Sequence, residues 1–263
     1  MPDRSPALTY TSYLALDEVL AAQRPRSGEH DEMLFIVIHQ VYELWFKQLL
    51  HELAHVQHRL AAGDTPHALH TLRRVLTILK VAVAQVDVLE TMTPRQFLGF
   101  RGRLDAASGF QSAQFRELEA VLGRRDRRVL EPYEAGGDAR ARIEAAQRRR
   151  SVWGSFLRFL GARGHALAED VLARDVTLAP APDERVQNVL VAVYRDDADG
   201  ALVAERLVDL DEGFQEWRYR HVKMVERTIG TKRGTGGSAG VEYLRTTLFQ
   251  PVFPDLWEIR GRL

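Results

Sequence analysis

The chain has 263 residues, 45% of them hydrophobic and 27% charged, a composition typical of a globular protein with a substantial core. Lys plus Arg and Asp plus Glu each number 36, so the net charge does not indicate nucleic acid or any strongly charged partner. The lack of Cys excludes disulfides, iron–sulfur clusters and cysteine nucleophiles, whereas the nine His leave imidazole chemistry possible. With no signal-peptide pattern and no apolar run of about 18 residues, the chain is predicted to be cytoplasmic and without membrane segments.

Helical periodicity, with apolar residues every three or four positions, dominates the chain. Thr93 before Pro94 is typical of a helix N-cap followed by the first helical position. The turn at 105–109 and the loop at 230–240, which holds five glycines, interrupt the pattern. Because strand patterns and repeats are missing, one all-α domain is predicted over 1–263. The predicted helices cover 13–23, 31–60, 66–91, 93–100, 110–122, 141–160, 166–172 and 184–228, and 123–140 is predicted to be a polar loop.

His51, Glu52 and His55 form an H-E-x-x-H motif within the second predicted helix. Two His four residues apart share a helix face and can bind zinc, with the intervening Glu as general base. His58 offers a third ligand, but the extension typical of one large class of zinc peptidases is absent. A zinc metallopeptidase is therefore one hypothesis, and a helix surface that carries these residues by chance is the alternative.

Two other His lie in apolar helical segments. His39 is about 160° around the predicted helix from His55, so the two cannot share a site; it is either functional or a core histidine. His221, near the end of the last long helix, suits the role of a heme ligand, although a helix C-terminus also favours a His.

The G-x-G-x-x-A match at 234–239 follows a helix, which excludes a dinucleotide-binding fold. Its glycines would still let backbone N–H groups approach a ligand carboxylate, unless this is an ordinary loop.

Four segments together resemble the tryptophan 2,3-dioxygenase family, in the family's order and across nearly the whole chain. They are LTYTSYLALDEVL at 8–20, HDEMLFIVIHQVYELWFKQLLHEL at 30–53, FLGFRGRLDAASGFQSAQFRELE at 97–119 and WRYRHVKMVERTIGTKRGTGGSAGVEYLR at 217–245. The resemblance implies long helices around a heme b pocket and a homotetramer built as a dimer of dimers. It also implies that the enzyme, with its heme iron as Fe(II), inserts O2 across the indole C2–C3 bond of L-tryptophan. The product is N-formyl-L-kynurenine, in the first step of the kynurenine pathway.

The resemblance also implies a role for individual residues. His221 takes the position of the axial ligand of the heme iron, and His39 that of the distal histidine that meets the indole N–H. Arg101 takes the position that pairs with the substrate carboxylate, for which a planar guanidinium is well suited. The remaining substrate-binding positions are Phe35 and Phe97 against the indole, Ser108 and Gly109 in the pocket wall, Thr235 at the substrate's ammonium and carboxylate, and Tyr10, Tyr13 and Leu14 of the segment 1–24, which completes a neighbouring subunit's pocket.

The chain departs from the family pattern at Ala107, where many members have Ser. This change does not affect the expected iron ligand or carboxylate partner. Two further alternatives remain: a heme oxygenase of the same superfamily acting on a substituted indole, and a non-catalytic heme protein. The joint presence of Phe35, His39, Arg101 and Thr235 favours tryptophan as the substrate.

Overall fold

The computed structural model describes residues 7–104, 111–230, 232 and 241–263, and every regular element in these ranges is a helix. The predicted all-α fold is therefore confirmed for this part of the chain. The α-helices are α1 (Tyr10–Leu14), α2 (Leu16–Leu20), α3 (His30–Ala61), α4 (Thr65–Leu89), α5 (Pro94–Arg101), α6 (Ala113–Leu122), α7 (Asp138–Gln147), α8 (Val152–Ala162), α9 (Glu169–Leu172), α10 (Glu184–Asp196), α11 (Ala198–Ile229), α12 (Val241–Arg245) and α13 (Pro254–Glu258), and the 3-10 helices are Arg127–Leu130 and Ile259–Arg262.

Three long helices form the centre of the fold. The 32-residue helices α3 and α11 both pack against α4, which has 25 residues. Their apolar stripes join one buried core that extends from Ile38 in α3 to Ile259 at the C-terminal end. Burial of a residue such as Leu53 or Leu60, each 1% exposed, contributes roughly 1.5–3 kcal/mol of transfer free energy. Packing against α4 thus fixes the relative positions of α3 and α11.

Side-chain caps set several helix boundaries, including some that the apolar periodicity does not indicate. The predicted cap of α5 is confirmed, because the Thr93 N–H and hydroxyl both donate to Gln96 and the Thr93 hydroxyl accepts the Gln96 N–H. The prediction of one helix over 141–160 is wrong. Ser151 accepts the Gly154 N–H at 3.2 Å and starts α8 as a separate helix.

The prediction of one helix over 184–228 is also wrong, because Asp197 interrupts it. Its carboxylate accepts the Gly200 N–H at 3.0 Å and so caps α11. Arg163 and His165 hold the same carboxylate, and the hydrogen bond from Arg163 is the main reason that the pKa of Asp197 lies well below its ordinary value. Near the N-terminus, Ala15 adopts a left-handed conformation with φ of 49°, which divides the predicted helix 13–23 into α1 and α2.

The polar stretch 123–140 contains more structure than the predicted loop. It holds a 3-10 helix over Arg127–Leu130, and Val129 and Leu130 pack with Ile143 of α7 in a small second core. Helix α6 begins at Ala113 rather than at 110, because the Ser112 hydroxyl accepts the Phe115 N–H at 3.1 Å. Within the described ranges, no helix combines the length and the apolar character that crossing a bilayer requires.

Candidate functional site

A cavity with largely apolar walls lies between α3, α4, α5, α6, α11 and α12. Five residues that the sequence singles out meet there: Phe35 and His39 from α3, Phe97 and Arg101 from α5, and His221 from α11. These residues are far apart in the chain and are brought together by the packing of α3, α5 and α11. The walls also include Tyr42, Phe46, Val86, Leu89, Met92, Phe115, Arg116, Glu119, Trp217, Arg218, Met224 and Val225.

One wall of the cavity is a cluster of aromatic rings. The Phe35 ring centroid lies 4.1 Å from that of His39, 5.8 Å from that of Phe97 and 5.5 Å from that of Phe100. Phe100 is fully buried and Phe97 is 9% exposed, so α5 is anchored against the first turns of α3. The cluster leaves flat apolar surface beside an imidazole, which suits an aromatic ligand with one polar edge.

The surroundings of His39 determine which of its ring nitrogens can act on a ligand. Its Nδ1 lies 2.7 Å from the Phe35 carbonyl oxygen, which only accepts hydrogen bonds. The proton of the neutral ring is therefore on Nδ1, and Nε2 is left as an acceptor. Burial lowers the pKa of His39, against smaller opposing effects of the Phe35 carbonyl and the Glu43 carboxylate, which favours this neutral form.

His221 lies on α11, one turn after Trp217. The two rings are parallel within 5°, with their centroids 5.1 Å apart. Burial, with smaller effects of the charges of His39 and Arg116, lowers the pKa of His221 to about 4. No residue in the described part of the chain is hydrogen-bonded to its ring, so a neutral imidazole with available lone-pair electrons faces the cavity.

Arg101 is the last residue of α5, and its cationic side chain lines the cavity. Two features fix its position. The Thr93 cap sets the start of α5, and Phe97 and Phe100, four residues and one residue before Arg101, are buried. A cation at a helix C-terminus is favoured by the macrodipole. The arrangement places a guanidinium in the same cavity as the aromatic rings.

Ser108, Gly109 and Thr235 lie outside the described residues. The described residues on either side of their segments show where those segments are attached to the fold. Leu104 and Ser112, which flank 105–110, both line the cavity, and so do Ile229 and Tyr243 on either side of the glycine-rich segment. The described residues that border these two segments in the sequence therefore lie in the cavity wall.

The N-terminal residues predicted to reach a neighbouring subunit do not line the cavity of their own chain. Tyr10 is 76% exposed, Tyr13 73% and Leu14 40%, and neither α1 nor α2 has a buried residue. Such exposed large apolar residues in one short segment are typical of a surface that packs against another chain. Their role in a neighbouring pocket stays a prediction.

The H-E-x-x-H motif does not form a zinc site in this structure. Glu52 is 4% exposed and turned to Arg74, whose Nη1 lies 3.1 Å from its carboxylate, and to Gln48 at 2.6 Å. His55 Nε2 instead accepts a hydrogen bond from Arg59 at 3.1 Å. Among the described residues, no three His, Cys, Asp or Glu side chains are placed to hold a metal ion.

Sequence reasoning missed a buried ion cluster in the cavity wall. Glu119 accepts hydrogen bonds from Arg116 at 2.7 Å and from Arg218 at 2.9 Å, and Arg124 lies 3.4 Å away. The QFRELE segment shows Arg116 and Glu119 three residues apart, which indicates an ion pair on α6. Arg218 joins them from 99 residues further along the chain, and no local pattern predicts that contact.

Comparison with known sequences agrees with this picture. The sequence model of the family described as Tryptophan 2,3-dioxygenase matches residues 2–151 and 182–263, which include every cavity residue named above. A protein of Anaeromyxobacter sp. (strain K) named "Tryptophan 2,3-dioxygenase" is 67% identical over 98% of this chain and 97% of its own length. Proteins with the same name from Herpetosiphon aurantiacus and Caulobacter vibrioides are 56% and 43% identical, over 98% and 97% of this chain and 100% and 98% of their own lengths.

Proposed function

The chain belongs to the tryptophan 2,3-dioxygenase family, and we propose that it is a heme b enzyme that converts L-tryptophan and O2 to N-formyl-L-kynurenine. The indole C2–C3 bond is broken, and each of these carbons receives one oxygen atom as a carbonyl. Both atoms of O2 are thus used and no further reductant is consumed. The proposal includes Fe(II) as the active state, a cytoplasmic homotetramer and a place at the first step of the kynurenine pathway.

The observation that carries this proposal is the meeting of His39, His221 and Arg101 around one aromatic-walled cavity. Their residue types provide an acceptor for an indole N–H, a ligand for iron and a partner for a carboxylate. A zinc peptidase is not supported, because Glu52 is paired with Arg74 away from the cavity.

The donor set of the cavity fits heme b. His221 is neutral at physiological pH, faces the cavity and is held flat against Trp217. The remaining walls contributed by α11 are largely apolar, as a porphyrin face requires, and include Val222, Met224 and Val225. His221 would hold the iron, and the bound ferrous heme would supply the activation of O2.

The protein's own residues would bind and orient tryptophan. Arg101 can pair with the substrate carboxylate, while Phe35 and Phe97 contact the indole faces. The His39 Nε2 accepts the indole N–H, because its Nδ1 proton is committed to the Phe35 carbonyl. His39 therefore fixes the ring orientation and need not remove a proton.

We propose that residues from three further segments of the sequence complete this pocket. Thr235, in the glycine-rich segment between Ile229 and Tyr243, is proposed to contact the amino-acid end of the substrate. Ser108 and Gly109 are proposed to form wall, and the exposed Tyr10, Tyr13 and Leu14 to cover a neighbouring subunit's opening.

Isotope incorporation tests the proposed reaction. Protein reconstituted with hemin and reduced without O2 is mixed with L-tryptophan and ¹⁸O2, and the product is analysed by mass spectrometry. The expected result is N-formylkynurenine that carries two ¹⁸O atoms. A heme spectrum without this product would overturn the dioxygenase proposal in favour of a non-catalytic heme protein, and faster turnover of a ring-methylated tryptophan would overturn the substrate.

A further inference from the structure

The imidazole of His221 is stacked on an indole ring of the same helix. Trp217 and His221 are four residues apart on α11, so their side chains lie on one face of this helix. Their ring planes are parallel within 5° and their centroids are 5.1 Å apart, the geometry of an offset aromatic stack. Both residues line the cavity, so the stack forms part of its wall.

Trp217 is itself held by rings from two other helices. Tyr42 and Phe46 of α3 meet its indole nearly edge-on, with centroids 6.4 and 6.1 Å away and interplanar angles of 77° and 82°. The ring of Phe115 of α6 lies 4.7 Å from it, and Trp217 is only 9% exposed. Tyr42 is fixed in turn, because its hydroxyl donates to the Ala82 carbonyl of α4 at 2.9 Å. The plane of the indole is therefore set by the packing of the protein alone.

Histidines that bind metal ions usually donate their second ring N–H to a carboxylate or a carbonyl, which fixes the plane of the ring. No group in the described ranges has such a hydrogen bond with His221. Glu43, in the cavity wall, accepts a hydrogen bond from Gln114 at 2.8 Å instead. Glu119, the other carboxylate in the described part of this wall, accepts from Arg116 at 2.7 Å. Within this part of the chain, the aromatic stack is thus the contact that defines the plane of the imidazole.

We propose that Trp217 is a positioning residue that holds the imidazole of His221 in the plane in which it binds iron. The inference rests on the proposed heme function. A ring that is already fixed loses less conformational freedom when the metal binds, so the stack is expected to strengthen hemin binding. Trp217 would take the role that a hydrogen bond to the second ring nitrogen has in other metal sites.

Chemical rescue separates a role in ring orientation from a role in folding. His221→Gly removes the tethered imidazole, and this protein with hemin is titrated with imidazole or with n-butylamine while the Soret band is followed. Both ligands offer a nitrogen lone pair, but only imidazole is flat and can stack. Adding Trp217→Leu is expected to weaken imidazole binding by about 2- to 10-fold, the range of one aromatic pair, and to leave butylamine binding unchanged.

Phe214→Leu provides the matched control in the same His221→Gly protein. Phe214 is 2% exposed and its ring lies 6.5 Å from that of Trp217, but it does not line the cavity. This variant loses a buried ring of α11 without losing the stack, so imidazole binding is expected to be kept. Trp217→Phe retains a flat ring and is expected to retain most of the imidazole affinity. Circular dichroism checks the fold of each variant, and Trp217→Met replaces Trp217→Leu if the latter does not fold.

Equal losses for imidazole and butylamine on adding Trp217→Leu, or no loss for either, would overturn the role of Trp217. If His221→Gly holds no hemin, resonance Raman spectra of the reduced protein with His221 intact decide the question. The iron–histidine stretching band is expected to be broader in Trp217→Leu than in the wild-type protein and in Trp217→Phe, and equal widths would overturn the proposal. Failure of the wild-type protein to bind hemin at all would instead overturn the proposed heme function.

Discussion

Helix α3 carries histidines at two places with different surroundings. Near its start, the His39 ring contacts the Phe35 ring and lies in the cavity wall, with its Nδ1 hydrogen-bonded to the backbone carbonyl of Phe35. Near its end, His51 is exposed and His55 accepts a hydrogen bond from Arg59. His39, which belongs to no recognisable motif, lies in the candidate site, whereas His51 and His55 of the H-E-x-x-H motif do not.

The difference shows that neighbours, rather than spacing alone, decide what a histidine can do. A helix of 32 residues is about 48 Å long, so its two ends pack against different elements. The first part of α3 meets α5 and the cavity, whereas Glu52 in the second part meets Arg74 of α4. The H-E-x-x-H spacing is met, but its Glu is unavailable as a base.

The largest expected effect is the loss of hemin binding when the proposed iron ligand, but not a histidine on α3 outside the cavity, is replaced. His221→Ala removes the proposed ligand and is expected to abolish stable hemin binding in a Soret titration. His55→Ala, the control on α3, is expected to bind hemin like the wild-type protein. Full hemin occupancy in His221→Ala would contradict the assignment of the ligand.

Arg101→Met is expected to weaken tryptophan binding by about 2–5 kcal/mol, the cost of leaving one member of a buried charge pair alone. The measurement is the KM or Kd for L-tryptophan beside that for tryptamine, which lacks the carboxylate. Tryptamine binding is expected to be unchanged. Arg59→Met, which alters the other end of α3, provides the control, and an unaltered KM for tryptophan in Arg101→Met would remove the carboxylate role.

The stability of the apoprotein is expected to fall as the pH decreases from about 6.5 to about 4. In this window the unfolded His221 binds a proton, since its ordinary pKa is about 6.5, whereas the folded one stays neutral. The unfolded state therefore gains protons first, at up to about 1.4 kcal/mol per pH unit. Urea unfolding of the wild-type protein and of His221→Phe should show a shallower pH dependence in the variant; equal slopes would contradict the low pKa.

His39→Ala is expected to weaken tryptophan binding by about 1 kcal/mol, the usual net value of one neutral hydrogen bond. The discriminating ligand is 1-methyltryptophan, which lacks the indole N–H. The wild-type protein is expected to bind it less tightly than tryptophan, and the variant is expected to lose most of that difference. An equal preference in both proteins would mean that the Nε2 of His39 does not accept the indole N–H.

The smallest effect on activity is expected for Glu52→Gln. This side chain is paired with Arg74 and lies outside the cavity, so kcat/KM for tryptophan is expected to be unchanged. Thermal unfolding is expected to show a loss of about 1 kcal/mol from the weakened pair. A large loss of activity with an unchanged melting temperature would restore a catalytic role to the motif.

Much of the fold could be predicted because most helices carry a clear apolar stripe. The errors occur where a cap or a backbone conformation overrides that stripe. Ser151 and Asp197 each start a new helix inside a continuous apolar pattern, and both are residue types that cap helices. The left-handed Ala15 has no comparable signal, since Ala is a strong helix former.

The candidate site was predictable to the extent that its residues lie in recognisable segments. Phe35, His39, Phe97, Arg101 and His221 were all singled out and share the cavity. The stacking of Trp217 on His221 could have been found from their spacing of four on one helix. The Glu119 cluster could not, because its partner Arg218 belongs to a distant helix.

The most direct test is a crystal structure of the hemin-reconstituted, reduced protein with L-tryptophan, prepared without O2. We expect iron on the imidazole of His221, the indole N–H on the Nε2 of His39 and the substrate carboxylate on Arg101. Heme bound elsewhere, or tryptophan with its carboxylate away from Arg101, would contradict the proposed site.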